Sequence, residues 1–182
     1  MPEYTYHPDL RPYARMKFPL SPRLVRLSQG PMALLYAMQR SDKSLRVSRG
    51  SVPRPDGSRM RMLLYSPVGE TGTTPCLYFF HGGGFAFNAA PHHFALAREL
   101  ARALGVRVAM PDYRLAPRHT FPAAHEDALT GYRFLLENAA ALRIDPEKIA
   151  AAGDSAGGNL AAALCLMARK EDLPMPCAQM LL

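Results

Sequence analysis

Three cysteines, Cys76, Cys165 and Cys177, are all the thiols in 182 residues, too few and too scattered for a disulfide framework or a metal cluster. Cys76 and Cys165 lie in apolar runs, so free buried thiols in a reducing, cytoplasmic setting are expected. No metal or cofactor is called for. No apolar run approaches the roughly 20 residues needed to span a bilayer, which argues against stable membrane insertion. The opening stretch, Met1 to His7, lacks the apolar core of a secretory signal. Internal repeats and low-complexity tracts are also missing. What remains is 48% hydrophobic and 20% charged, the balance of an ordinary globular domain with a substantial core.

Acidic residues are scarce in the first third. Residues 1–61 hold twelve Lys/Arg against four Asp/Glu, while residues 62–182 hold ten against eleven. Such a basic arm could meet nucleic acid or an acidic membrane. Its charges are dispersed among Pro, Leu and Met, however, so the expected role is the solvated face of a small helical subdomain, with no nucleic-acid partner.

Residues 1–20 read as an irregular arm. Ser21-Pro22 is an N-cap followed by proline at the first helical position, opening a short helix through Leu27. Gly30-Pro31 punctuates the chain, and a second helix is expected over Met32–Arg40, apolar nearly all round and therefore covered by, or covering, something. Leu45–Val52 and Arg59–Tyr65 flank a turn cluster containing Asp56-Gly57, a hairpin pattern. Strands at Cys76–Phe80, Val106–Met110 and Lys148–Ala152 then alternate with helices at Phe94–Leu104, Ala123–Ala139 and Gly158–Arg169. That alternation predicts an α/β fold, a mostly parallel central sheet flanked by helices, with residues 1–44 as arm and helical cap and 45–182 as core.

Reactive groups in such sheets gather beyond the carboxyl ends of the strands. Three strand ends carry unusual loops. After the first comes His81-Gly82-Gly83-Gly84-Phe85, whose adjacent glycines are costly to order and suit a site where backbone N–H groups must point inward. No Lys-Ser/Thr follows, as a phosphate loop would require. After the second comes Pro111-Asp112-Tyr113-Arg114-Leu115-Ala116-Pro117, where Asp112 and Arg114 read as structural partners. After the third comes Gly153-Asp154-Ser155-Ala156-Gly157, a G-x-S-x-G turn between strand and helix. Its serine is held in a strained backbone with the hydroxyl raised above the sheet, and Gly153 and Gly157 permit the close approach around it.

H-G-G-G-F, then P-D-Y-R-L-A-P with F-P-A-A-x-E-D-A, then G-D-S-A-G-G-N-L, resembles the hormone-sensitive-lipase-like esterases of the α/β-hydrolase fold over roughly residues 45–182. The resemblance implies a carboxylic-ester hydrolase acting on short to medium acyl esters. Ser155 matches the nucleophile, Gly83, Gly84 and the Ala156 amide match the oxyanion hole, and His81 matches a loop histidine that is structural and not the base. The amino-terminal helices match part of a cap over the acyl pocket. Two positions depart from the family pattern: Arg118 where an acid is usual, and Asn88 where glycine is common.

A serine hydroxyl needs a histidine to take its proton and a carboxylate to orient that histidine, in this fold in the order Ser, Asp/Glu, His. After Ser155 come Glu171 and Asp172 but no histidine. The histidines, His7, His81, His92, His93, His119 and His125, all precede it; His92, His93 and His125 lie at helix starts and are expected to be exposed or capping. Cys177–Leu182 reads as the opening of another buried strand. The expectation is an amino-terminal piece of a longer esterase, without the triad's Asp and His and the last strands and helices. An amide hydrolase on the same scaffold, or a small-ligand receptor that does not hydrolyse, are the alternatives. Nothing in the sequence sets the oligomeric state.

Overall fold

The computed structural model describes residues 8–9 and 21–182. The arm expected over residues 1–20, and His7 with it, falls almost wholly outside the described residues. The element order is α1 (Pro22–Ala37), β1 (Leu45–Pro53), β2 (Arg59–Pro67), β3 (Thr74–Phe80), α2 (Pro91–Leu104), β4 (Arg107–Pro111), α3 (Ala123–Glu137), α4 (Ala139–Leu142), β5 (Ile144–Gly153), α5 (Ala156–Lys170) and β6 (Gln179–Leu181).

The six strands form one sheet in the order β1-β2-β4-β3-β5-β6. The hairpin β1-β2 is antiparallel and β2 meets β4 antiparallel, whereas β4, β3, β5 and β6 run parallel. Parallel strands need covering on both faces, and their sequences are correspondingly continuous in apolar residues. Phe79 and Phe94 belong to the core on one face, Phe80, Tyr132 and Leu164 to the core on the other. Cys76 and Cys165 are free and buried as expected, while Cys177 is free and exposed.

Two expectations for the first helices are corrected. Gly30-Pro31 does not divide them: α1 runs unbroken from Pro22 to Ala37 with Pro31 inside it. Proline removes one N–H and crowds the carbonyl four residues earlier, that of Leu27, which lies on an exposed stretch. Anchors on either side outweigh that cost. Ser21 Oγ accepts from the Leu24 N–H at 3.3 Å, and Tyr36 pins the far end to the sheet. The Tyr36 hydroxyl accepts from the Leu63 N–H at 2.8 Å and donates to the Met110 carbonyl at 2.6 Å, bridging β2 and β4. The second correction concerns burial. Only Val25 and Tyr36 of α1 are buried, and Leu34 and Met38 remain exposed.

The expected helix over Ala123–Ala139 ends earlier, at Glu137, and a separate turn, α4, follows and closes on Arg143 in the left-handed region (φ 54°). Strand β5 begins four residues sooner than expected, at Ile144, because Ile144 pairs with Thr74 across a register shift. At β6 the expected opening strand is present over Gln179–Leu181, beside β5.

Candidate active site

Because β4, β3 and β5 are adjacent and parallel, the loops at residues 81–85, 111–117 and 153–157 emerge on the same edge of the sheet. Ser155 sits between β5 and α5 with φ 52° and ψ −115°, a region L-residues rarely occupy. Close packing enforces that geometry. A Cβ at Gly157 would collide with the Phe80 carbonyl, and one at Gly153 would collide with the backbone of Gly157. Ser155 is exposed, and its N–H donates to the Leu182 carbonyl at 2.8 Å.

The glycine loop runs directly beside this turn. The Gly82 N–H donates to Asp154 Oδ1 at 2.9 Å, and a Cβ at Gly82 would strike the same carboxylate. Gly83 (φ 121°), Gly84 (φ 60°) and Phe85 (φ 59°) all have positive φ, a backbone that favours glycine. Among the described residues, the N–H groups of Gly83, Gly84 and Ala156 donate to no protein acceptor. For Ala156 the reason is general: it is the first residue of α5, and the first N–H groups of a helix have no partner within it. Three unpaired main-chain donors thus belong to the two loops that flank the serine.

His81 is fully buried and its ring stacks on Tyr113 with centroids 4.4 Å apart. Its Nδ1–H donates to the Gly82 carbonyl at 2.7 Å, and the Tyr113 hydroxyl donates to the His81 carbonyl at 2.7 Å. Burial pulls its pKa down to about 4, so the ring is neutral. It braces the loop.

Asp112 and Arg114 are structural partners, as expected. Arg61 Nε reaches Asp112 Oδ2 at 2.9 Å. Asp127, fully buried in α3, accepts from Arg54 Nε at 2.7 Å, the Arg114 N–H at 2.7 Å and Arg114 Nε at 3.0 Å. This cluster ties the β1–β2 turn and the β4 loop to α3.

Sequence reasoning missed one participant. His93 was expected to be exposed or capping; it does cap α2, with Nδ1 accepting from the Ala90 N–H at 2.8 Å, but it is buried. That bond leaves the proton on Nε2, which donates to Asp154 Oδ2 at 3.2 Å. Desolvation lowers the His93 pKa, so the contact is a hydrogen bond from a neutral imidazole to a carboxylate oxygen and not an ion pair. The only signal in the sequence was a histidine at the third helical position. His92 is exposed, and His125 bonds Asn159 Oδ1 through Nε2 at 3.1 Å while its ring lies 5.8 Å from that of Phe85. Among the described residues no histidine bonds to Ser155 Oγ. The described residues also contain no cluster of His, Cys, Asp or Glu able to hold a metal ion. None of the described helices is long and apolar enough to cross a membrane.

Comparison with known proteins fits this geometry. A family model described as the α/β-hydrolase fold matches residues 77–182. The carboxylic ester hydrolase LipN of Mycobacterium tuberculosis is 39% identical over 155 residues, covering 82% of this chain and 41% of its own. An ethyl acetate hydrolase of Pseudomonas putida is 37% identical over 139 residues, covering 75% and 44%. Among solved structures, the Pyrobaculum calidifontis esterase superposes with a TM-score of 0.78 at 34% identity, covering 96% of this chain and 57% of that one. The chain therefore spans less than half the length of these curated relatives.

Proposed function

The chain belongs to the α/β-hydrolase family, and from that premise we propose that it carries the nucleophile and oxyanion hole of a carboxylic-ester hydrolase acting on short to medium acyl esters. Ser155 Oγ attacks the ester carbonyl, forming an acyl-enzyme and releasing the alcohol; water then releases the acid. The N–H groups of Gly83, Gly84 and Ala156 receive the negative charge that develops on the carbonyl oxygen, a contribution worth about 3–4 kcal/mol per donor in comparable sites. The observation that carries this reading is the pairing of a strained, exposed serine with three main-chain donors left unpaired in its two flanking loops.

The Ser155 proton needs a base. No histidine of the described residues bonds to Ser155 Oγ, and we place that base, with its carboxylate partner, in the part of the relatives that this chain does not span. Residues 1–44 act as arm and cap, and residues 45–182 as the core. The protein works in the cytoplasm on small acyl esters, with no cofactor and no nucleic-acid partner.

Rates of the full-length protein on a p-nitrophenyl ester series test the reading; this chain alone, without the base, should turn over little or nothing. Turnover that falls with acyl length and vanishes in Ser155→Ala is expected. That no histidine among the described residues bonds Ser155 Oγ favours a second reading, a receptor that binds small ligands without turnover. Saturable binding of an ester that remains intact in the whole protein would establish that alternative. Cleavage of matching anilides at rates equal to the esters would point instead to an amide hydrolase.

A further inference from the structure

Asn88 and Arg118, the two departures from the esterase pattern, line one cavity. It encloses about 750 Å³ between α1 and the loop that follows β4, with Arg26 and Gln29 on the helix side. Two of the four charged side chains on its wall are already paired. Asp112 is held by Arg61, and Arg114 by Asp127 and Glu126. Arg26 and Arg118 remain, neither of them in an ion pair. Among the described residues, the wall thus presents two guanidiniums outside any ion pair and no free carboxylate.

A third group adds direction. Asn88 Oδ1 is buried and has no hydrogen-bond partner. An orphaned buried acceptor is costly unless something supplies an O–H or N–H to it. Guanidiniums suit the oxygens of an oxyanion, and the unmatched amide oxygen suits a hydroxyl on the same ligand.

The cavity is separate from the nucleophile. Neither Ser155 nor Gly83 or Gly84 is on its wall; the two glycines line a neighbouring apolar groove with Pro22, Val25 and Phe87. Gln29 stands at the partition, its Nε2 donating to the Ala86 carbonyl at 2.7 Å and the Ala116 carbonyl at 2.8 Å. We propose that this cavity binds a small oxyanion bearing an O–H group, a hydrogen phosphate or a hydroxycarboxylate, with Arg26 and Arg118 pairing its charge and Asn88 accepting its hydroxyl.

Calorimetric titration of the full chain at pH 7 and fixed ionic strength tests this, with inorganic phosphate, sulfate and tartrate as probes. Saturable phosphate binding is expected, with sulfate, which carries no O–H at this pH, at least about threefold weaker. Each of Arg26→Glu and Arg118→Glu should weaken phosphate about tenfold or more, as loss of a charge-assisted hydrogen bond does. Asn88→Ala should abolish the preference over sulfate. Arg23→Glu, on an exposed α1 residue off the cavity wall, removes the same charge and should leave binding unchanged. Should Arg118→Glu fail to fold, Arg118→Gln replaces it. Tartrate binding alone would assign the ligand as a hydroxycarboxylate, and phosphate alone as a phosphate. The proposal is overturned if no probe saturates, if sulfate binds as tightly as phosphate, or if Arg23→Glu weakens binding as much as Arg118→Glu.

Discussion

His93 and Asp154 are joined through Nε2 and Oδ2 at 3.2 Å, one residue before the serine. The other carboxylate oxygen holds the Gly82 N–H at 2.9 Å. One side chain therefore connects the start of α2, the glycine loop and the serine turn. The register between the two donor-bearing loops depends on it.

His93→Ala leaves a partly buried carboxylate oxygen without its donor and empties a packed position. A loss of about 1–3 kcal/mol is expected in urea denaturation. His92→Ala, its exposed neighbour, should change stability by less than about 0.5 kcal/mol. Equal effects at both positions would contradict the assignment of His93 as the link.

Gly157→Ala places a methyl group against the Phe80 carbonyl, where the chain has no slack. Loss of about 3 kcal/mol or more, or failure to fold, is expected. Gly84→Ala has open space around its Cβ but a φ of 60°, so it should cost only about 1–2 kcal/mol. Thermal denaturation of both variants checks the order.

Tyr78 carries a buried hydroxyl with no partner, packed against Gly131 of α3. Tyr78→Phe removes that unmet group while keeping the ring, and should raise stability by about 1 kcal/mol, seen as a higher Tm. A lower Tm would mean that the hydroxyl is satisfied after all.

Acidification should weaken the fold through two buried histidines. His81 and His93 both have pKa values lowered by burial, His81 to about 4. In the unfolded chain their pKa is near 6.5, so the unfolded state binds the extra protons. Stability is therefore lost as the pH falls below about 6.5, with a slope approaching about 1.4 kcal/mol per pH unit from His81 down toward its pKa of about 4, and a further loss from His93. Urea denaturation between pH 7 and pH 5.5 measures it. A flat profile would show that neither histidine is held neutral.

Much of this arrangement could be read from residue types alone. Continuous apolar runs located β3, β4 and β5, and the glycine-rich loops that end β3 and β5 located Gly82–Gly84 and the Ser155 turn. His93 was not legible, because a histidine in the first turn of a helix looks like a cap; its second bond depends on where the start of α2 lies against the serine turn. The continuity of α1 across Pro31 was hidden for a similar reason. Local propensity says the chain should break there, and only the distant anchoring of Tyr36 between β2 and β4 holds it together. The early start of β5 was masked by Asp145-Pro146-Glu147, poor strand formers carried by the pairing of Ile144 with Thr74.

Labelling with a fluorophosphonate, followed by peptide mapping, tests the role of Ser155 most directly. In the full-length protein, a single adduct on Ser155, absent from Ser155→Ala, is the result expected if Ser155 is the nucleophile. Labelling that persists undiminished in Ser155→Ala would contradict it.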